Sequence, residues 1–238
     1  MTKKILVTGS SRGIGAAIAR LAIRDGFEVI LHGSSESREL VELSTTLSCR
    51  YIIFDVSVED QVKRAVSEVS DLYALVNSAG VNISKSFVDL TDVDWKKIYD
   101  VNVFGLVNVV RHFSPVILTT SGVGKIINIA SVKGCNSSVG RLGYASSKAA
   151  VINITAGLAK ELAPNILVNA VAPGFTLTEM TESTWGERIK KQVESILLGR
   201  MAYPEEIAET VLFLLSSKCS YTTGQTLFVD GGFSIKND

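Results

Sequence analysis

The chain of 238 residues is short of several things, and each shortage excludes a class of protein. It has three cysteines, Cys49, Cys135 and Cys219, far apart and odd in number. None of their spacings suits a metal site, and no disulfide framework is expected. They read as reduced packing residues, and no metal is expected. Charge of one sign is also lacking, since 24 basic residues balance 24 acidic ones. A nucleic-acid or anionic-membrane partner is therefore not expected. The apolar run in MTKKILVTGSS is too short for a signal peptide or a membrane span, so a cytoplasmic protein is expected. Linkers, low-complexity tracts and internal repeats are absent too. A hydrophobic share of 46% with 20% charge describes a globular chain. One domain over residues 1–238 is the simplest organisation.

What is present is alternation. Short β-branched runs at 3–9, 28–33, 51–56, 72–80, 124–131, 166–173 and within 224–232 predict seven strands. Between them, helical patterns occupy 13–26, 35–47, 58–70, 94–120 and 143–163, with further helix in 179–216. The strands are apolar on both faces, as in a parallel sheet covered by helices. The fold class is α/β, a single doubly wound Rossmann domain with a seven-stranded parallel sheet.

TGSSRGIG, residues 8–15, joins the first strand to the first helix. Gly9, Gly13 and Gly15 allow a tight turn and close approach to a phosphate, and the helix start favours an anion. The spacing is G-x-x-x-G-x-G rather than G-x-G-x-x-G. At the end of the second strand a carboxylate would bind a ribose 2′-hydroxyl and repel a 2′-phosphate. Residues 31–35 read LHGSS, with no acid. Arg12 can face the extra phosphate, Ser34 can donate to it, and His32 is close by, which points to NADP over NAD. Asp55 can accept from an adenine amino group or cap the helix at 58–70.

YASSK, residues 144–148, sets a phenol and an ammonium one helical turn apart, on one helix face. It reads either as a surface pair or as a proton device. A free tyrosine has a pKa near about 10, and a neighbouring cation favours the phenolate.

TGSSRGIG, NSAG (77–80), VNVFG (101–105), INIAS (127–131), YASSK and VAPGFTLTEM (171–180) occur in this order with fitting gaps. As a set they resemble the classical short-chain dehydrogenases/reductases over essentially the whole chain. Within that family the chain is most similar to bacterial 3-oxoacyl-[acyl-carrier-protein] reductases, on GKIINIASVKG, YASSKAAV, VNAVAPGF and TGQTLFVDGG. The resemblance implies NADPH-dependent reduction of a 3-oxoacyl thioester on an acyl carrier protein. It also implies a homo-oligomer, with a tetramer expected. The alternatives are an alcohol, sugar or small-carbonyl dehydrogenase, or an inactive nucleotide-binding regulator.

By the same resemblance the catalytic tetrad maps onto Asn102, Ser131, Tyr144 and Lys148. Ser131 would donate to the substrate carbonyl. Lys148 would lower the Tyr144 pKa and hold the nicotinamide ribose, and Asn102 would hold a proton-relay water. The cofactor would lie along Gly9, Ser11, Arg12, Gly13, Ile14 and Gly15, then His32, Ser34, Asp55 and Val56. It would continue past Asn77, Ala79 and Gly80 to Tyr144, Lys148, Pro173, Gly174 and Thr176. NSAG departs from the usual NNAG, and Ser78 is expected to support the central strand. A substrate lid is expected over 177–200, lined by Leu177, Met180, Trp185, Ile189 and Ile196. Lys125, Lys133 and Arg141 are the basic residues expected near the mouth.

Overall fold

A computed structural model describes residues 2–120, 122–179 and 192–236. Seven parallel strands form one sheet: β1 (Lys4–Thr8), β2 (Glu28–Gly33), β3 (Tyr51–Ile53), β4 (Ala74–Asn77), β5 (Gly124–Ile129), β6 (Ile166–Pro173) and β7 (Thr226–Val229). Their order across the sheet is β3-β2-β1-β4-β5-β6-β7. The chain runs outward in one direction to β3, then returns to the middle at β4. A crevice therefore opens beyond the C-terminal ends of β1 and β4, where neighbouring connections diverge.

The double covering follows from the strand sequences. Ile5 and Val7 of β1 point into one layer and Leu6 into the other, and all three are fully buried. On the first face lie α1 (Gly13–Arg24), α2 (Arg38–Leu47) and a last helix, here α7 (Pro204–Leu215). Ala16, Ala17, Ala19 and Ala22 make the buried side of α1 small enough to sit tightly there. The second face carries α3 (Glu59–Val66), α5 (Leu106–Leu118) and α6 (Leu142–Leu162) around Phe54, Phe113 and Ile126.

The long helix expected over 94–120 is α4 (Asp92–Tyr99) running into α5 through a π-helical turn, Asp100–Gly105. By length and composition the span 92–118 would suit a membrane, yet it packs as a core helix, with Asn102 and Asn108 buried. Third-strand pairing stops at Ile53 instead of Val56, because the next residues turn back. The Asp55 carboxylate accepts from Ser57 N and Oγ at 2.9 and 2.6 Å. Asp55 thus closes a turn of its own. It is not the cap of α3, whose N-cap position is Val58.

Candidate active site

The crevice encloses about 560 Å³, and every strand end from β1 to β6 contributes to its wall. After β1 comes the glycine turn. Gly9 holds φ at +62°, and a Cβ there would lie 2.7 Å from the Ala79 Cα. At Gly15 a Cβ would stand 2.3 Å from the Gly9 carbonyl oxygen. Both positions require glycine for the turn to close on itself. Arg12, the N-cap of α1, places no side-chain acceptor on the helix start. The first-turn donors at Gly13, Ile14 and Gly15 thus border the crevice uncapped, as an anion site requires.

At the end of β2 no carboxylate reaches the crevice from 31–35. Glu36, the next acid, accepts from the Tyr51 hydroxyl at 3.2 Å. Ser34 lines the wall. Arg12 is exposed, 3.5 Å from the Glu179 carboxylate, a residue that also lines the crevice. His32 departs from expectation. It is 2% exposed, its Nδ1 accepts from Gly9 N at 3.0 Å, and its Nε2 lies 2.8 Å from the Phe54 carbonyl oxygen. It lines the crevice, yet with both ring nitrogens bonded to backbone it has no free ring N–H to offer a 2′-phosphate.

Asn77 at the end of β4 and Ser78 just after it exchange the parts expected of them. Asn77 was expected at the cofactor, but its Nδ2 donates to Asn128 Oδ1 across the β4–β5 register at 2.8 Å. Its side chain is buried and stays off the crevice wall. Ser78 was expected to support the strand and instead borders the crevice, beside Ala79 and Gly80. Thr8 Oγ1 accepts from Ser78 N and Ala79 N at 3.1 and 3.2 Å, which fixes that edge.

The four tetrad candidates come together from three elements. Ser131 follows β5, with its Oγ accepting from Lys133 N at 3.1 Å, and its hydroxyl is near enough to the Tyr144 phenol to favour the phenolate. Tyr144 and Lys148 sit on the first turns of α6 and share one face, Nζ lying 5.8 Å from the phenol ring centre. Lys148 is buried and donates to the Ile129 carbonyl at 2.7 Å. Burial alone lowers its pKa to about 8. Tyr144 differs from expectation, because burial raises its pKa, and the opposing pulls come from Ser131 and Arg141.

Asn102 also differs. Its Oδ1 accepts from Val81 N at 2.8 Å, and its Nδ2 donates to Val81 O at 2.9 Å and to Ser147 Oγ at 3.0 Å. The side chain clips the turn after β4 to α6. The π-helical turn that carries it adds one residue to the helical repeat, which re-aims the side chain.

Pro173, Gly174 and Thr176 line the far end as expected, and Thr176 Oγ1 donates to the Gly174 carbonyl at 3.2 Å. Residues of the crevice wall that sequence reasoning missed include Thr178 and Glu179, which lie against the glycine turn, and Lys97. Thr178 repeats Thr176 two residues on, which was a usable signal. Of the lid residues, Met180, Trp185 and Ile189 lie outside the described residues. Ile196 is 3% exposed and packs toward Gly231, so it belongs to the core. Leu177 is partly buried and off the crevice wall. Lys125 is misplaced by the sequence reading: it stands at the start of β5, opposite the crevice, and its buried ammonium bonds the Cys219 carbonyl. Lys133 is on the crevice side, between the rings of Phe175 and Phe233, 5.4 and 4.9 Å from their centres.

Comparison with known proteins agrees with this geometry. A family described as enoyl-(acyl carrier protein) reductase matches residues 9–234. The 3-oxoacyl-[acyl-carrier-protein] reductase FabG of Aquifex aeolicus is 39% identical over 97% of this chain and 96% of its own length. That of Thermotoga maritima is 38% identical over 98% of both. The chain belongs to the short-chain dehydrogenase/reductase family. Among solved structures, a short-chain dehydrogenase/reductase of the glucose/ribitol dehydrogenase type from Brucella melitensis superposes with a TM-score of 0.92, at 28% identity over 97% and 96% of the two chains. An aldohexose dehydrogenase from Thermoplasma acidophilum gives 0.89 at 30% identity over 99% and 95%. As a short-chain dehydrogenase/reductase the protein is an oxidoreductase that works with a nicotinamide cofactor. The residues fit that group, since the uncapped turn at 13–15 suits a pyrophosphate and Pro173 to Thr176 close the other end.

Proposed function

We propose that the protein reduces a 3-oxoacyl thioester, carried on acyl carrier protein, to the 3-hydroxyacyl thioester with NADPH. The observation that carries this reading is the meeting of Ser131, Tyr144 and Lys148 on one wall of the crevice. The Tyr144 hydroxyl is placed there to give a proton to the alkoxide that forms when hydride adds to a ketone. Ser131 polarises the carbonyl oxygen, Tyr144 delivers the proton, and Lys148 holds ribose hydroxyls. The nicotinamide supplies the hydride when bound. The substrate class is supported by relatives whose names state it, at 37 to 39% identity over nearly the whole chain. NADPH is supported by the acid-free end of β2, by Ser34 on the wall and by Glu36 turned to Tyr51.

A second reading is an aldohexose or related sugar dehydrogenase, as two of the structural neighbours are named. One assay separates them. The purified protein is given acetoacetyl thioester with NADPH or NADH, and separately aldohexoses with NADP+ or NAD+. NADPH oxidation with the thioester, at least tenfold more efficient than with NADH, is expected. Turnover of sugars alone would reject the thioester, and equal use of both cofactors would reject the phosphate preference.

A further inference from the structure

The end of β2 grips the glycine turn at more points than a β-sheet neighbour needs to. Ser10 N donates to the His32 carbonyl at 3.0 Å, and His32 N donates back to Ser10 Oγ at 2.8 Å. The third point is the side chain, where Gly9 N donates to His32 Nδ1 at 3.0 Å. Gly9 has a positive φ and backs directly onto Ala79, so its position is bounded on one face by backbone and on the other by an imidazole. Because Nδ1 accepts, the ring proton must reside on Nε2, where it donates to the Phe54 carbonyl at 2.8 Å. The ring also lies 4.0 Å from the Phe54 ring centre, which fixes its plane.

We infer that His32 is a positioning residue for the nucleotide turn: a neutral Nε2–H imidazole whose Nδ1 holds the Gly9 N–H and so presets the turn for a phosphate. This rests on the nucleotide-binding reading of the crevice. Gly9 N–H is thereby kept out of the donor set offered to a ligand, leaving the α1 first turn for that task. An unpartnered N–H at this depth would cost the turn its shape. Burial supports the neutral form by lowering the pKa to about 4. The Phe54 carbonyl and the charge of Asp55 on the following turn pull the other way, and burial outweighs them.

The test uses the whole protein without added cofactor. The chain has two histidines, so nitrogen-15 spectra of the wild type and of His112→Asn assign both rings. Expected for His32 is an unprotonated Nδ1 and a protonated Nε2, unchanged from pH 7.5 down to pH 5.5. An Nδ1–H tautomer, or titration near the ordinary histidine value, would overturn the clamp. NADP+ affinity is then measured for two variants whose melting temperatures confirm folding. His32→Asn keeps an acceptor at the Nδ1 position, and its affinity should stay within threefold of wild type. His32→Gln reaches Phe54 but leaves Gly9 without its acceptor, and its affinity should fall at least tenfold. Equal affinities for the two variants would reduce His32 to a packing residue. A wild type with the expected tautomer that binds no nucleotide would overturn the nucleotide reading and the positioning role with it, while leaving the hydrogen bond itself established.

Discussion

Two regions of the crevice are made of different material. On the β1–β2 side the groups that hold the turn in shape are neutral: backbone N–H groups, Thr8 and Ser10 hydroxyls, a histidine kept uncharged, while the Arg12–Glu179 pair stands exposed at its edge. That side works by shape, and its bonds also satisfy the backbone, so function there costs the fold little. On the β5–α6 side burial shifts two ionisable groups, Tyr144 upward and Lys148 downward, and at neutral pH it opposes the charge of Lys148. Here the fold pays for chemistry, because a buried charge with one carbonyl partner is poorly compensated. Mutations on the second side should therefore separate activity from stability, and mutations on the first should not.

The largest effect should come from Tyr144→Phe. It removes the proton donor and leaves the ring, so NADPH oxidation should fall about 10²–10⁴-fold, the usual share of a general acid. Cofactor affinity should hold within a few-fold, and the melting temperature should not drop, since Tyr144 is only partly buried, its hydroxyl faces the crevice and its ring stays in place. A loss of activity below tenfold would mean that protonation comes from elsewhere, and the contrast between the two sides would fail.

Next is Lys148→Met, where the sign matters. The lysine titrates at about 8 in the fold against roughly 10.4 in the unfolded chain, so at pH 7 its charge is disfavoured by about 3 kcal/mol. The folded value lies below the unfolded one, so the whole penalty is present below pH 8. It is relieved as pH rises through the window from about 8 to about 10.4, where the unfolded chain holds the extra proton. Denaturant unfolding should find the Met variant at least as stable as wild type at pH 7, with the wild type catching up by pH 9.5. Activity should fall about 10²-fold, and wild-type reduction should decline above pH 8 as the cation is lost. A variant destabilised by several kcal/mol at pH 7 would make the Ile129 bond structural and reverse the comparison.

What could be read from the sequence was whatever is local. The glycine turn, the strand–helix alternation and the i, i+4 pair at 144 and 148 are short-range patterns, and the fold realises each. Where a side chain points depends on partners far along the chain, and there the reading slipped. Asn77 and Ser78 are adjacent and both polar; the pleat sends one to Asn128 and the other to the crevice. His32 looked like a phosphate contact because its target, Gly9 N, lies 23 residues earlier. The π-helical turn at 100–105 leaves no mark in an apolar periodicity. Lys125 is expected at the mouth as a basic residue of the segment before the fifth strand, yet that segment enters β5 at the end opposite the crevice.

The smallest expected effect tests whether the two sides are separable at all. A buried polar chain runs to α6 from β4, whose Asn77 lies in register with Thr8 of β1: Asn77 Nδ2 donates to Asn128 Oδ1, Asn128 Nδ2 donates to Thr155 Oγ1 at 3.0 Å, and Thr155 donates to Val151 O at 2.8 Å in α6. That helix carries Tyr144 and Lys148 eleven and seven positions before Thr155. Asn77→Ala leaves Asn128 Oδ1 without its donor, a loss of about 1–3 kcal/mol. The substitution also removes Asn77 Oδ1, itself buried with no partner, so the net cost should fall at the low end of that range. Activity should change less than threefold, because the α6 end of the chain still closes on Val151. Combining Asn77→Ala with Thr155→Val measures the coupling directly: the two stability losses should be less than additive, since both break one chain. A tenfold loss of activity from Asn77→Ala alone would show that the neutral side sets the position of the titrating one, and the division drawn between them would have to be abandoned.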